Sequence, residues 1–118
     1  MGHLLELLEA SGVGARLSFE SVPFLDSAKR HASAGVVPGG TRANLHAVVD
    51  SVSFDDSLGE TERLLLADAQ TSGGLLAAVA PEAVDSIRKA LRAAGVETIA
   101  VLGTLVPGEA RVQVACGE

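Results

Sequence analysis

The apolar positions of this chain recur with two periods, and the changes between them mark out its elements. Over residues 1–10, Met1, Leu4, Leu5 and Leu8 share one face while His3, Glu6 and Glu9 lie largely off it, which predicts a short helix. Ser11-Gly12 is a good stop for it, because glycine accepts the left-handed C-terminal position. Residues 15–20 then alternate, Ala15, Leu17 and Phe19 inward and Arg16, Ser18 and Glu20 outward, as in a half-buried strand. Pro23 opens a second helix over 24–34 with Phe24, Leu25, Ala28 and Ala32 as its stripe; His31 falls near that stripe as a packed or boundary histidine. Thr41 caps a third helix running to about Val49. Val52 and Phe54 alternate with serines in a short strand, and 60–67 is helical again.

The second half reads more simply. Residues 75–80 are a continuous apolar run, expected as a central strand covered on both faces. Pro81 starts the clearest helix, ending at Gly95, with Val84, Ile87, Leu91 and Ala94 as its stripe. Its acids, Glu82 and Asp85, precede its bases, Arg88, Lys89 and Arg92, an order that suits the helix dipole. Residues 99–106 are expected as another buried strand. Pro107-Gly108 turns the chain, and 111–114 returns as an edge strand with Val112 and Val114 inward. Helices interleaved with about five strands predict a layered α/β (α+β) domain, a mixed sheet covered by helices. The 118 residues suffice for one domain, 1–118, and not for two.

Composition narrows the function. Hydrophobic residues make up 47% of the chain but only three are Phe, with no Trp or Tyr, so the core is built of Leu, Val, Ile and Ala. The net charge is -6 and the densest basic cluster is Lys29-Arg30-His31, which argues against nucleic acid as the main partner. No apolar run is long enough to span a bilayer and no signal peptide is present. The single cysteine, Cys116, cannot form an internal disulfide and fits a reducing, cytoplasmic compartment; it is expected in a frayed tail. Asp55-Asp56 places two carboxylates side by side, but no further metal ligand is spaced nearby. No metal site and no catalytic residue is assigned.

Two glycine pairs carry the remaining chemistry. Residues 68–76, Asp-Ala-Gln-Thr-Ser-Gly-Gly-Leu-Leu, set Gln70, Thr71, Ser72, Gly73 and Gly74 between two segments that both require burial. Gly73 and Gly74 can take backbone angles closed to other residues and leave room for another group to approach. Such a turn can hold an anion on its N–H groups; equally, it can serve only to start a core strand tightly. The second pair, in Val37-Pro38-Gly39-Gly40-Thr41, leads into a helix whose first turn carries Arg42 and Asn44, where unpaired N–H groups favour anions. An ordinary capped helix accounts for it as well.

Gly2-His3-Leu4-Leu5-Glu6, then 34–41 with Asn44, then 65–76, resemble in order and spacing the C-terminal part of selenophosphate synthetase (selenide, water dikinase). The resemblance spans most of the chain. One departure is Ala69, where the family usually has proline; its loss loosens the turn without removing a chemical group. The resemblance implies the C-terminal domain fold of the aminoimidazole ribonucleotide synthetase superfamily. It also implies an enzyme that uses ATP, Mg2+, selenide and water to make selenophosphate, AMP and phosphate. The family's reactive cysteine or selenocysteine, its lysine partner and its metal-binding aspartates belong to an N-terminal catalytic domain that this sequence lacks. The chain is thus expected to be inactive alone and to bind no cofactor by itself, with Gln70, Thr71, Ser72, Gly73, Gly74, Thr41 and Asn44 lining the nucleotide cleft. A leucine-rich start without a leader suggests a longer chain that has been cut. Leu4, Leu5, Leu7 and Leu8 spread too widely for one narrow face, so self-association through the first helix is expected as well. The competing reading is a free-standing module that binds a small molecule or a protein without catalysis.

Overall fold

The leucines at 4, 5 and 8 fix how the chain begins to fold back on itself. They line one face of α1 (Gly2–Ser11), and all three are buried; Gly12 ends the helix with its N–H bonded to the Glu9 carbonyl. A computed structural model describes residues 1–70 and 72–117 of the chain. Within it, α1 is followed by β1 (Val13–Ser18), a 3-10 turn at Phe19–Ser21, α2 (Ala28–Ser33), α3 (Gly39–Ala47), β2 (Val52–Phe54) and α4 (Glu60–Leu66). After a second 3-10 turn at Pro81–Ala83 come α5 (Val84–Ala93), β3 (Gly103–Pro107) and β4 (Val112–Ala115). Among the described residues this is an α+β fold of one mixed four-stranded sheet and five α-helices, as expected.

The sheet runs in the order β2-β4-β1-β3. β4 pairs parallel with β1, Ala15 opposite Val112 and Leu17 opposite Val114, and parallel with β2, Val52 opposite Val112. β1 pairs antiparallel with β3, Ala15 opposite Leu105. Leu4, Leu5, Leu8, Ala15, Phe19, Val48, Val52, Leu58, Val112 and Val114 form the core. Leu8 and Val112 are wholly inaccessible to solvent. Burying a large aliphatic side chain contributes about 1.5–3 kcal/mol, so this cluster is the main source of stability. Phe24 stacks on Phe19 with ring centroids 5.2 Å apart, and the Lys29 ammonium sits 5.1 Å above the Phe19 ring.

Several expectations are overturned, and most of them concern which strands are central. β4 was expected at an edge and lies inside the sheet, because β3 and β4 take opposite sides of β1. The connecting turn therefore passes over the start of β1. Gly14 makes the crossing possible: a Cβ there would stand 2.9 Å from the Glu109 carbonyl oxygen and 3.1 Å from that of Arg111. The Ala15 N–H donates to the Arg111 carbonyl at 2.9 Å in the same place. Conversely, 75–80 does not form the expected central strand. It belongs to no helix or sheet and is exposed throughout. Of 99–106, only the part from Gly103 is strand, and it is an exposed edge.

Smaller corrections follow the same lines. α2 begins four residues later than the stripe suggested, and Leu25, meant for that stripe, is 82% exposed. His31 is exposed rather than packed. Cys116 is half-buried against the core, its carbonyl accepting the Glu20 N–H at 3.0 Å, so this end is not frayed. Leu7 is half-buried, packed against the same core as Leu4, Leu5 and Leu8. α5 forms where expected, yet Ile87 and Leu91 remain more than a third exposed. No helix among the described residues is long and apolar enough to cross a membrane.

Candidate functional site

The two glycine-pair segments meet. α3 follows Pro38 directly, so Gly39 and Gly40 form its first turn and Thr41 lies inside the helix rather than capping it. That placement frees the Thr41 hydroxyl for a different partner. It donates to Asp68 Oδ1 at 2.7 Å and accepts the Ala69 N–H at 3.2 Å. Thr41 is 1% exposed and is the one buried polar side chain recorded among the described residues, so both of its bonds are made in a largely dry place. One turn on, Asn44 Nδ2 donates to the Ala67 carbonyl at 3.1 Å. This satisfies a carbonyl at the end of α4 that has no helical partner. Gly40 lies close beneath Ala69; a Cβ at Gly40 would meet the Ala69 methyl at 3.6 Å.

The joint is tied from outside as well. Arg42 Nη1 donates to Glu60 Oε1 at 2.9 Å, linking the first turns of α3 and α4 at the surface. The Met1 nitrogen donates to the Leu66 carbonyl at 3.4 Å. α1, α3 and α4 thus all fix the place where Asp68 leaves α4. The segment from Asp68 onward is launched from a rigid base.

Of the expected cleft residues, Thr41 and Asn44 come together with Asp68 and Ala69, the first residues of the glycine string. Both spend their polar groups on that string. Gln70, Ser72, Gly73 and Gly74 continue outward and are exposed. Thr71 lies outside the described residues. Neither glycine pair uses a left-handed backbone: the positive φ angles belong to Gly12, Gly35, Gly95 and Gly108. A Cβ at Gly74 would meet nothing within 4 Å, and one at Gly73 would meet only the Gln70 side chain, Oε1 at 3.0 Å. The conformational argument for these two glycines therefore fails. What remains is the other property of glycine, a backbone that a second group can approach closely.

Sequence reading missed one residue of this site. Asp68 was the first letter of the string and was given no part, although it anchors the string to α3. A carboxylate directly after a helix, with a threonine on another helix as its partner, leaves no periodic signal. A cavity of about 510 Å³ lies elsewhere, lined by Gly14, Arg16, Val106, Glu109 and Arg111 among others. It holds none of the expected residues. Its Arg111 guanidinium is engaged by Glu109 at 3.1 Å, which leaves it a poor anion site. Among the described residues, no three His, Cys, Asp or Glu side chains gather where they could hold a metal ion.

The joint between 38–44 and 67–74 is thus the best-organised polar feature of the fold. The family model for AIR synthase related protein, C-terminal domain, matches residues 1–115. The chain belongs to that family. Within it, the chain is similar along nearly its whole length to enzymes named selenide, water dikinase. It is 42% identical over 115 residues to that of Burkholderia orbicola, covering 98% of this chain and 32% of the relative. It is 42% identical over 114 residues to that of Myxococcus xanthus, covering 97% and 32%. For Rhizobium meliloti the figures are 38% over 114 residues, 97% and 33%. The resemblance read from the sequence therefore holds, and the chain spans about a third of the length of these relatives.

Proposed function

We propose that this chain is the C-terminal domain of a cytoplasmic, ATP-dependent selenophosphate synthetase, and that it forms one wall of a nucleotide cleft completed by an N-terminal catalytic domain. The reaction served is ATP, selenide and water to selenophosphate, AMP and phosphate. The observation that carries the reading is the joint itself, considered with the similarity to the selenide, water dikinases over 97–98% of the chain. Thr41 is tied to Asp68, and Asn44 to the Ala67 carbonyl. Gln70, Ser72, Gly73 and Gly74 are left exposed beyond this joint.

These exposed groups suit a phosphate chain. An amide, a hydroxyl and two backbone N–H groups are donors, and hydrogen bonds to a charged acceptor contribute about 1.5–3 kcal/mol each. The absence of a side chain at Gly73 and Gly74 lets an anion approach the backbone. The residues present do not suit Mg2+, whose hard, octahedral coordination calls for carboxylate oxygens. A metal on the nucleotide belongs to carboxylates of the other domain, and no step is routed through one here. In this division of labour the chain binds and orients phosphate, excludes water from one side, and carries no nucleophile or proton-transfer group.

The test has two parts. The purified 118-residue chain is expected to fold, and to show neither selenide-dependent ATP consumption nor selenophosphate formation. Joined in cis or mixed in trans with a selenophosphate synthetase N-terminal domain that is inactive alone, it should restore both. Turnover by the isolated chain, lost on a point mutation within it, would overturn the assignment. So would failure to restore activity to an N-terminal domain that a relative's own C-terminal domain does rescue; that outcome would favour a free-standing binding module.

A further inference from the structure

Asp68 is the last residue of its segment still tied to α4, where its N–H donates to the Leu65 carbonyl at 3.4 Å. Ala69 is the first that is not: its N–H crosses to the Thr41 hydroxyl on α3 at 3.2 Å. The same hydroxyl donates to Asp68 Oδ1 at 2.7 Å, and the Ala69 methyl lies where a Cβ on Gly40 would meet it at 3.6 Å. The chain is thus handed from α4 to α3 across one peptide bond, on an oxygen belonging to a residue only 1% exposed. Beyond Ala69 the backbone tethers stop. Among the described residues, no backbone N–H of Gln70 or of 72–80 donates a hydrogen bond to another backbone group. A side-chain contact takes over. The Gln70 side chain folds back over Gly73, with Oε1 3.0 Å and Cβ 3.7 Å from where a Cβ on Gly73 would stand. A run of contacts therefore leads from the buried hydroxyl to the glycine: Thr41 to Asp68 and Ala69, then Gln70, then Gly73.

We infer that Asp68 is a positioning residue, whose carboxylate, held by Thr41, sets the direction in which Gln70 and Gly73 are presented. The inference rests on the reading of 70–74 as part of a phosphate-binding wall, and adds the residue that aims it. A direction needs two fixed points. The Asp68 carboxylate and the Ala69 N–H supply them, both on one oxygen whose own place is fixed by burial in α3. Without the carboxylate, Thr41 keeps the Ala69 N–H alone, and the chain can pivot about that single bond. Donors to a phosphate must already be in place when it arrives, because ordering them on binding costs part of the affinity. Asp68 is itself exposed, so it adds little to the core, and its effect falls on the string that follows it.

The test uses Asp68→Ala, with Asp68→Asn as the conservative variant, since asparagine keeps an oxygen for the Thr41 hydroxyl. In the 118-residue chain, NMR relaxation reads the order of the Gln70, Ser72, Gly73 and Gly74 amides directly. These amides are expected to be ordered in the wild type, to lose order in Asp68→Ala and to regain it in Asp68→Asn, while those of β1 and β4 stay unchanged. The second readout is kinetic, in the enzyme assembled with a selenophosphate synthetase N-terminal domain and at a temperature where every variant is folded. Asp68→Ala should raise the KM for ATP by roughly tenfold or more and leave the KM for selenide alone, with Asp68→Asn close to wild type. A residue that merely stabilises the fold would lower the active fraction, and with it kcat, leaving both KM values unmoved. That result would overturn the inference. So would string amides as mobile in the wild type as in Asp68→Ala. A wild-type assembly that fails to turn over would count against the proposed function alone, because the relaxation measurement on the 118-residue chain still decides the inference.

Discussion

The Thr41 hydroxyl stands 2.7 Å from Asp68 Oδ1 and bridges two segments 27 residues apart in the chain. It gives its proton to the carboxylate and takes the Ala69 N–H in return, so one buried oxygen serves both members of the turn that follows α4. Replacing it tests whether the joint is structural. Thr41→Val should destabilise the chain by about 1.5–3 kcal/mol, the contribution of a hydrogen bond to a charged group, with the orphaned Ala69 N–H adding to it. Thr41→Ser should recover most of that. Urea unfolding of the three proteins measures it, and equal midpoints for wild type and Thr41→Val would mean that the bond contributes nothing.

Gly74 separates structure from function, because nothing in the fold requires a glycine there. Its φ is ordinary and a Cβ would meet no atom within 4 Å. Gly74→Ala should leave the melting temperature unchanged, or raise stability by about 0.4–1 kcal/mol through the unfolded chain. In an assembled enzyme it should nevertheless lower selenide-dependent ATP consumption, by blocking the approach of phosphate to the backbone. A loss of stability in the isolated chain would return the glycine pair to a purely structural role.

Ser72 offers the complementary measurement. Its hydroxyl is exposed, and Ser72→Ala should be silent in melting temperature. If that hydroxyl donates to phosphate in the transition state, its loss of about 1.5–3 kcal/mol slows turnover by about one to two powers of ten. Unchanged turnover in the assembled enzyme would remove Ser72 from the cleft.

Gly14 is a glycine the fold does require. A Cβ there would press on two backbone carbonyls, and backbone cannot swing aside as a side-chain tip can. Gly14→Ala should cost roughly 1–3 kcal/mol, as overpacking does elsewhere. The loss should register as faster hydrogen exchange in β4, since the turn that delivers β4 is what moves. Unaltered exchange there would mean that the crossing tolerates a side chain.

Asp55 gives a pH-dependent prediction. Ser57 bonds its carboxylate through both hydroxyl, at 2.5 Å, and backbone N–H, at 2.9 Å, and these hold its pKa below the ordinary 3.8. A folded-state pKa below the unfolded one contributes stability above the unfolded value, lost as pH falls through the folded value. The window is therefore acid, below the usual aspartate range. Because Asp55 is fully exposed, the effect shows in its own titration rather than in global stability. Ser57→Ala should raise the Asp55 pKa toward the ordinary value in an NMR titration. No change would mean that the hydroxyl is not bonded in solution.

The sequence by itself determined that five stretches become helix, though not where each begins, and most of the core. Leu4, Leu5 and Leu8 declare a face through spacing alone, and Ala15 and Phe19, or Val112 and Val114, do so through alternation, because side-chain direction is set by local backbone geometry. It also brought the two glycine-pair segments to notice by order and composition. Only the tertiary structure decided which strands are central. An apolar run such as 75–80 states that burial is wanted, not which edge will provide it, and strand order depends on contacts between residues far apart in the chain. For the same reason β4, with two inward valines, looked like an edge and became the middle of the sheet. The partnership of Thr41 with Asp68 was likewise invisible, because a hydrogen bond across 27 residues leaves no period in the chain that carries it.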